Sequence, residues 1–151
     1  MQKLKIKLEH PECKPAIGSV DSAGLDLRVF LGHNPRKDGL QIEPGQKVLV
    51  GTGVKMAIPS GWVGLVVPRS SVGTKMDISL ANTVGVIDAD YRGEIKLCLR
   101  NNGTEPQVFF NFDRICQIVI VPYFPGSLAE YVDDLDETIR GEGGFGHSGT
   151  N

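Results

Sequence analysis

The organising stretch of the chain runs from residue 82 to residue 101 and reads NTVGVIDADYRGEIKLCLRN. Its first part is mostly apolar, two aspartates follow, and after Gly93 apolar and polar side chains alternate. Alternation with a period of two is typical of a strand with one buried face, and Asp and Gly are typical turn residues. The pattern therefore predicts a β-hairpin with Asp88, Asp90 and Tyr91 at its tip.

Taken alone, this predicted tip has two interpretations. In the first, the aspartates only shape a turn, because Asp readily accepts local backbone hydrogen bonds. In the second, a carboxylate takes part in a reaction and the aromatic ring contacts a ligand. Turn formation is the commoner cause of such a cluster, so the choice depends on the rest of the chain.

Length and charge restrict the class of protein. The chain has 151 residues, enough for one domain with a proper core and too few for two ordinary ones. Its 18 acidic and 16 basic side chains leave a net charge of −2, so neither a nucleic acid nor a membrane surface is the expected partner.

The cysteines and the N-terminus suggest a location. Three cysteines (Cys13, Cys98 and Cys116) are widely spaced and form no Cys-x-x-Cys, which indicates reduced and mostly buried thiols. The first eight residues alternate Lys with apolar residues, which predicts a strand and not a signal peptide. A cytoplasmic protein is the resulting expectation.

Most other segments also have a period of two, with Gly or Pro between them, which predicts an all-β sandwich or jelly roll. The predicted strands are 2–8, 22–29, 47–50, 53–58, 62–67, 108–112 and 114–122. Residues 59–61, Pro-Ser-Gly, are expected to join 53–58 and 62–67 as a hairpin. One short helix is predicted within 68–75, where two serines follow Pro-Arg.

The C-terminal part is harder to assign. Ser127 and Glu130 resemble a capping box, and the apolar residues of 127–139 have helical spacing, which favours a helix. The stretch 140–151 carries five glycines and one aromatic residue, Phe145, so it predicts a flexible arm.

The candidate functional residues come from distant segments of the chain. The sequence has no zinc-binding His spacing, nucleophile elbow or phosphate-binding loop. Arginines and serines at a helix start are typical donors to phosphate oxygens. A Phe ring can stack on a base, and the Asp88 carboxylate can orient a water molecule. The candidates are Asp26, Arg69, Ser70, Ser71, Asn82, Asp88, Tyr91, Gln117, Arg140 and Phe145.

Structural explanations compete with each of these roles. Arg69 pairs with Asp26 across strands in one alternative, Ser70 only caps a helix in another, and Phe145 docks in a core groove in a third. Gln117 interrupts an apolar strand, so its amide needs hydrogen-bond partners.

Five segments together carry a family resemblance. They are AGLDL (23–27), PRSSVG (68–73), GVIDADYRG (85–93), RICQ (114–117) and RGEGGFG (140–146). In order and spacing they resemble the five motifs of the homotrimeric dUTPase family, deoxyuridine 5′-triphosphate nucleotidohydrolase, of bacterial type. The resemblance implies a dUTPase-like jelly roll or distorted β-barrel at 1–136, with a swapped arm at 137–151 that closes over a neighbouring active site. It also implies an extended chain at 127–139 in place of the helix.

The resemblance further implies a homotrimer whose three active sites each draw on all three chains. One chain supplies the first, second and fourth motifs, another the third, and the last its arm. The implied reaction is hydrolysis of dUTP to dUMP and pyrophosphate by water attack at the α-phosphorus, which removes dUTP from the nucleotide pool and supplies dUMP for dTMP synthesis. The rivals are a dCTP deaminase and a trimer that binds nucleotide without turnover.

Roles are implied for matching positions. Asp88 matches the general base, and Mg²⁺ sits on the triphosphate without a direct protein ligand, Asp26 acting at most through water or by holding Arg69. Tyr91 matches the ring beneath the deoxyribose. The implied substrate-binding positions are Arg69, Ser70, Ser71, Gly73, Asn82, Gly85, Val86, Ile87, Tyr91, Lys96, Gln117, Arg140, Phe145, Gly146 and Ser148.

Two departures from the family pattern concern Cys116, where many members have Ala, and His147-Ser148, where Ser-Thr is more frequent. Which of His147 and Ser148 contacts phosphate stays open.

Overall fold

The computed structural model describes residues 3–33 and 39–143. These residues form twelve strands and one α-helix, α1 (Ser70–Lys75). The strands are β1 (Lys5–Leu8), β2 (Ala16–Ile17), β3 (Gly24–Arg28), β4 (Leu40–Ile42), β5 (Lys47–Gly51), β6 (Val54–Ala57), β7 (Trp62–Pro68), β8 (Ile78–Leu80), β9 (Gly85–Ile87), β10 (Lys96–Asn101), β11 (Gln107–Phe109) and β12 (Arg114–Pro122).

The strands pair in four antiparallel sheets. The largest has the order β2-β3-β12-β7-β9, the next β5-β10-β8, and two small sheets pair β1 with β6 and β4 with β11. The core contains Leu27, Val66, Leu97, Leu99 and Ile118, each at most 2% exposed. This arrangement confirms the predicted all-β, jelly-roll-type fold with one short helix.

The five-stranded sheet is built around β12, a nine-residue strand that pairs with β3 on one side and β7 on the other. Ile118 lies level with Leu25 and Val66, and its side chain is fully buried. The neighbouring residues Gln117 and Val119 therefore point to the opposite face, since side chains alternate along a strand. The edge strands β2 and β9 have only two and three residues.

The predicted hairpin over 82–101 is wrong. β9 pairs with β7, whereas β10 pairs with β5 and β8, so the two predicted arms belong to different sheets. The connection carries Asp88 and Tyr91 from one sheet to the other, and the Tyr91 N–H donates to the Asp88 carbonyl oxygen at 3.2 Å. The apolar run located β9 and the alternation located β10, but neither pattern contains information about which partner each strand selects.

The predicted hairpin of 53–58 and 62–67 is wrong for the same reason. The turn exists, since the Trp62 N–H donates to the Pro59 carbonyl oxygen and Gly61 has a φ of +84°. Its arms diverge, however, because β6 pairs with β1 and β7 pairs with β12 and β9.

The helix favoured by the spacing at 127–139 is not observed. Only a 3₁₀ turn at Gly126–Leu128 forms, and the backbone continues without helix to residue 139. Its apolar residues lie in solvent, with Tyr131 98% and Leu135 80% exposed, so the described residues of one chain offer no surface against which a helix could pack. Within the described ranges, no helix is both long and apolar enough to cross a membrane.

Candidate functional site

One cluster of predicted site residues forms where β3, β12 and β7 run side by side. Gln117 lies level with Asp26 on one side and Val67 on the other. Arg69 follows β7, and its Nε lies 3.1 Å from Asp26 Oδ2, while a terminal nitrogen of Arg114 lies 3.2 Å from the same oxygen. The structure therefore brings Asp26, Arg69 and Gln117 together and confirms the cross-strand pairing of Arg69 with Asp26.

The carboxylate of Asp26 holds the two arginines in place. Its side chain is 14% exposed, against 28% for Arg69 and 43% for Arg114. Arg69 also donates to the Arg114 carbonyl oxygen at 3.3 Å, so its guanidinium is tied at two points. A guanidinium fixed in this way is preorganised to donate to phosphate oxygens from its remaining N–H groups.

Gln117 lies over a glycine of the adjacent strand. A Cβ atom on Gly24 would overlap the amide oxygen of Gln117 and lie 3.1 Å from its Cδ. Gly24 therefore provides the space that this polar side chain needs on the face of an otherwise apolar strand.

Helix α1 begins directly after Arg69. Ser70 and Ser71 are its first two residues, and their N–H groups have no intrahelical partner because of their position. The carbonyl oxygen of Ser70 accepts from the Thr74 hydroxyl at 2.8 Å, and Arg69, the N-cap residue, makes no side-chain cap bond. Ser70 is thus the first helical residue. The alternative prediction from the sequence, that Ser70 caps the helix, is wrong.

Asp88 lies in a different part of the sheet. It is exposed and lines a cavity of about 770 Å³ together with Val63, Leu65, Val86 and Tyr123. The adjoining Arg92 donates to the carbonyl oxygens of Ala89 and Tyr91, at 2.6 and 2.9 Å, and so stabilises the turn.

Tyr91 packs against its own turn. Its hydroxyl donates to the Glu94 carbonyl oxygen at 2.9 Å, and a Cβ on Gly93 would lie 2.5 Å from the Tyr91 Cζ. The ring is 43% exposed and lines a second cavity, of about 760 Å³, with Lys96 and Lys55.

Four of the predicted substrate-binding residues lie at or directly after a tight turn before β9. Asn82 donates to the Val84 carbonyl oxygen at 3.2 Å, and Thr83 has a φ of +66°. Gly85 lies beside Val66, Val86 is 60% exposed, and Ile87 packs against the core.

Asp88 and Gln117 occupy the same outer face of the large sheet but are far apart. Gln117 is level with Val67, whereas Asp88 follows Ile87, which is level with Gly64. The separation is about four residues, roughly 13 Å, along the strands and two strand spacings, roughly 10 Å, across them. The structure of one chain therefore does not bring the Asp88 group and the Arg69–Gln117 group together.

An apolar stripe separates the two groups. It consists of Val63, Leu65, Val86, Val119 and Val121, which are paired across β12, β7 and β9 and alternate with buried residues. Val86 is mostly exposed and the other four are half-buried. This valine–leucine stripe is apolar surface that one chain leaves partly uncovered.

Of the predicted site residues in the arm, only Arg140 lies within the described part. It is exposed, its Nε donates to the Gly143 carbonyl oxygen at 2.8 Å, and it takes part in none of the ion pairs among the described residues. Phe145, Gly146 and Ser148 lie outside the described residues.

Cys116 adjoins Gln117 and is fully buried. Burial raises the pKa of its thiol to about 12, so the group is a neutral packing residue at physiological pH. This fits the small buried residue expected at this position.

Sequence reasoning missed two residues. Arg114 belongs to the RICQ segment, but nothing in the pattern showed that it shares Asp26 with Arg69. Glu94 looked like an ordinary charge after Gly93, yet its carboxylate accepts from the Gly53 N–H at 2.8 Å. Both contacts join distant segments, and strand periodicity carries no signal for them.

Comparisons with known proteins identify the family of this chain. The sequence model of the dUTPase family matches residues 13–149. A protein of Escherichia phage T5 named deoxyuridine 5′-triphosphate nucleotidohydrolase is 56% identical over 147 residues, which is 97% of this chain and 99% of the relative. A protein of the same name from Syntrophotalea carbinolica is 43% identical over 148 residues, with 97% and 96% coverage.

Solved structures are similar over most of the chain. A dUTPase of Staphylococcus bacteriophage 80alpha, determined with dUpNHpp, superposes with a TM-score of 0.80 at 26% identity over 99% of both chains. A dUTPase from Streptococcus mutans superposes with a TM-score of 0.70 at 30% identity, over 80% of this chain and 96% of that one.

Proposed function

The chain belongs to the dUTPase family, and from this membership we propose that it hydrolyses dUTP to dUMP and pyrophosphate. The observation that carries the proposal is the Asp26–Arg69–Gln117 cluster beside the start of α1, on the same sheet face as Asp88. The cluster offers donors for phosphate oxygens, and Asp88 offers a carboxylate for water. Such an activity removes dUTP from the nucleotide pool and supplies dUMP for dTMP synthesis.

Phosphate binding is assigned to the cluster. Arg69, tied to Asp26, presents a forked donor, and the N–H groups of Ser70 and Ser71 face outward from the helix start. Gln117 is paired directly with Asp26 in the adjacent strand. Gly73 allows close approach at the helix, since even a Cβ atom there would have its nearest neighbour, the Ile78 carbonyl oxygen, 3.9 Å away.

Asp88 is assigned the role of general base. Its carboxylate would orient a water molecule for attack at the α-phosphorus and accept the proton, a contribution of about 10² to 10⁴ in rate. The pyrophosphate leaves as its developing charge is stabilised by the Arg69 and Gln117 donors.

The nucleoside is assigned to the turn before and after β9. Asn82 and the backbone of Gly85, Val86, Ile87 and Lys96 would read uracil, and an unmatched base would leave buried polar groups unpaired. The Tyr91 ring would support the deoxyribose and collide with a ribose 2′-hydroxyl. Asp90 is left with a structural role in the turn.

We further propose that the active site forms only in a homotrimer. A site needs Asp88 close to the phosphates, but within one chain Asp88 lies roughly 16 Å from Gln117, from the strand and spacing distances combined. The valine–leucine stripe between them is apolar surface of the kind that a second copy covers. The exposed apolar residues Tyr131, Leu135 and Ile139 support an arm that packs on a neighbour, with Arg140 and the residues beyond it closing over that site.

Mg²⁺ is proposed as the cofactor, carried on the triphosphate. No cluster of three His, Cys, Asp or Glu residues occurs in the described ranges, and the Asp26 carboxylate is engaged by two arginines. This donor set fits an ion that keeps its waters and binds through substrate phosphates. When bound, Mg²⁺ would neutralise phosphate charge, and Asp26 would act by holding Arg69.

A cytoplasmic location and a bacterial-type enzyme complete the proposal. The three cysteines, Cys13, Cys98 and Cys116, are free thiols, which is the usual state in a reducing compartment. The similar proteins named above come from phages and bacteria.

The decisive experiment measures pyrophosphate release from dUTP, dCTP, dTTP and UTP by the wild type and Asp88→Asn. We expect dUTP to be the only one of the four nucleotides that is turned over efficiently, and a loss of about 10² to 10⁴ in kcat for Asp88→Asn with nucleotide binding retained. Hydrolysis of dTTP at an equal rate, or an active Asp88→Asn protein, contradicts the proposal. Ammonia release from dCTP would instead identify a dCTP deaminase.

A further inference from the structure

The turn that carries Tyr91 is attached to the connection between β5 and β6. The Ile95 N–H donates to the Val54 carbonyl oxygen at 2.9 Å, and the buried Thr52 hydroxyl donates to the Ile95 carbonyl oxygen at 2.7 Å. Glu94 adds a side-chain acceptor, because its Oε1 accepts from the Gly53 N–H at 2.8 Å. Consecutive residues thus bind the same short segment, 52–54.

The glycines on either side of Thr52 act differently on this carboxylate: Gly51 makes room for it and Gly53 donates to it. A Cβ on Gly51 would overlap the Glu94 carboxylate and lie 3.1 Å from its Cδ. Gly53 has a φ of +65°, a conformation that side chains disfavour, and it directs its N–H towards Glu94. The backbone of 51–53 is therefore shaped to receive the Glu94 side chain.

The same residue holds Tyr91 from its main chain. The Tyr91 hydroxyl donates to the Glu94 carbonyl oxygen at 2.9 Å, and the ring lies against Gly93, where a Cβ would collide with it. Because 43% of Tyr91 is exposed, the position of the ring depends strongly on these contacts.

We propose that Glu94 is a positioning residue that sets substrate binding and sugar discrimination through Tyr91. The carboxylate bond to Gly53 fixes Glu94, the Glu94 carbonyl oxygen fixes the Tyr91 hydroxyl, and the ring then presents a fixed surface to the sugar. The inference rests on the proposed function, because it takes Tyr91 as the surface beneath the deoxyribose. Tyr91 contacts Asp88 only through the main chain, where its N–H donates to the Asp88 carbonyl oxygen. The Asp88 carboxylate is not part of these side-chain contacts, so the chemical step is expected to be unaffected.

The kinetic test compares Glu94→Ala and Glu94→Asp with Glu94→Gln. Ala removes the acceptor and Asp is one methylene too short to reach Gly53, whereas the Gln side chain retains an oxygen at the same position. For Ala and Asp we expect KM for dUTP to rise about tenfold with kcat nearly unchanged, the effect of roughly one lost hydrogen bond. The ratio of kcat/KM for dUTP to that for UTP is expected to fall about tenfold, and Gln is expected to restore both quantities to within about threefold.

Two further variants refine this test. Tyr91→Phe removes only the hydroxyl and is expected to match Glu94→Ala, and combining the two is expected to add little, because both break one series of contacts. Glu9→Gln is the matched control: Glu9 lines the same cavity but its carboxylate pairs with Lys55, so the dUTP to UTP ratio is expected to stay unchanged.

A measurement of ring position separates this inference from the proposed function. In the NMR spectrum, ring current from Tyr91 shifts the Gly93 resonances, and we expect that shift to be lost in Glu94→Ala and Glu94→Asp and kept in Glu94→Gln. A wild type that fails to hydrolyse dUTP would refute the proposed function, while the Gly93 shift would still decide whether Glu94 positions Tyr91. An unchanged Gly93 shift in the Ala and Asp variants, or a lowered kcat with an unchanged dUTP to UTP ratio, overturns the inference.

Discussion

At the scale of single residues, the candidate site depends on small side chains as much as on charged ones. Gly24 is the clearest case, because the amide of Gln117 occupies the space of a Cβ atom there. Sequence inspection found Gln117 through its conflict with an apolar strand. The sequence motif included Gly24 but did not explain why a glycine is needed there. The explanation is a contact between two strands that lie far apart in sequence.

For Gly24→Ala we expect the Gln117 side chain to swing away from its position. KM for dUTP should rise about tenfold through the loss of one hydrogen bond to phosphate, and the urea midpoint should change little because the displaced group is flexible. Gly126→Ala is the matched control, since a Cβ atom there would meet open space within 4 Å. Equal KM values for the two variants would show that Gln117 does not contribute to substrate binding.

The thiols give a residue-scale prediction about pH. Burial raises the pKa of Cys116 from 9.0 to about 12, so at pH 8 its thiolate population is roughly a thousandfold below that of a free cysteine. Mass spectrometry after iodoacetamide treatment at pH 8 should show the half-buried Cys98 labelled first, and the buried Cys13 and Cys116 labelled only in urea. Rapid labelling of native Cys116 would contradict the burial described here.

The same pKa shift has a defined effect on stability. Because the folded-state pKa is raised, the protonated thiol favours the folded state fully below pH 9, and this contribution is lost as the pH rises from 9.0 towards about 12.

At the scale of elements, the strands were largely predictable and their partners were not. Alternation located β3, β7, β10 and β12 close to their observed bounds. The two predicted hairpins failed because a turn followed by alternation looks the same whether the chain folds back or crosses to another sheet. Helical spacing at 127–139 failed because the part of the chain that the structure describes provides no surface against which a helix would pack.

Helix α1 permits a test at this scale. Gly73 lies inside the helix, and a Cβ there would have the Ile78 carbonyl oxygen as its nearest neighbour, at 3.9 Å. Gly73→Ala should therefore raise the free energy of unfolding by about 0.5 to 1 kcal/mol, measured by urea denaturation.

Gly64→Ala should have the opposite sign and serves as its counterpart. Its Cβ would lie 2.7 Å from Ile118 Cδ1 and 3.2 Å from Ile87 Cβ, inside the core between β12 and β9. Overpacking of this kind should cost about 1 to 3 kcal/mol. A neutral Gly64→Ala variant would mean that β9 is packed less tightly than described.

At the scale of the whole molecule, the proposed trimer predicts complementation between two defective chains. At dUTP concentrations well below KM, Asp88→Asn should be nearly inactive alone, and Gln117→Ala should be about tenfold less active than the wild type. If each site takes Asp88 from one chain and Gln117 from another, mixed trimers assembled from equal amounts should recover about a quarter of the wild-type activity, because one site in four then receives both intact residues.

The mixture should be unfolded and refolded together so that chains exchange, with separately refolded and then mixed chains as the control. Absence of recovery in co-refolded trimers, verified by light scattering, would place Asp88 and Gln117 of one site in the same chain.

The short edge strands of the large sheet limit how copies can associate. β2 and β9 expose only two and three residues of backbone, too little to template the addition of another strand. Copies that associate through the sheet face under rotational symmetry form a closed oligomer. Copies that add strands edge to edge form an open array that can grow without limit. The sheet therefore favours a finite assembly and resists growth into fibrils, even though nearly all regular secondary structure in the described residues is strand.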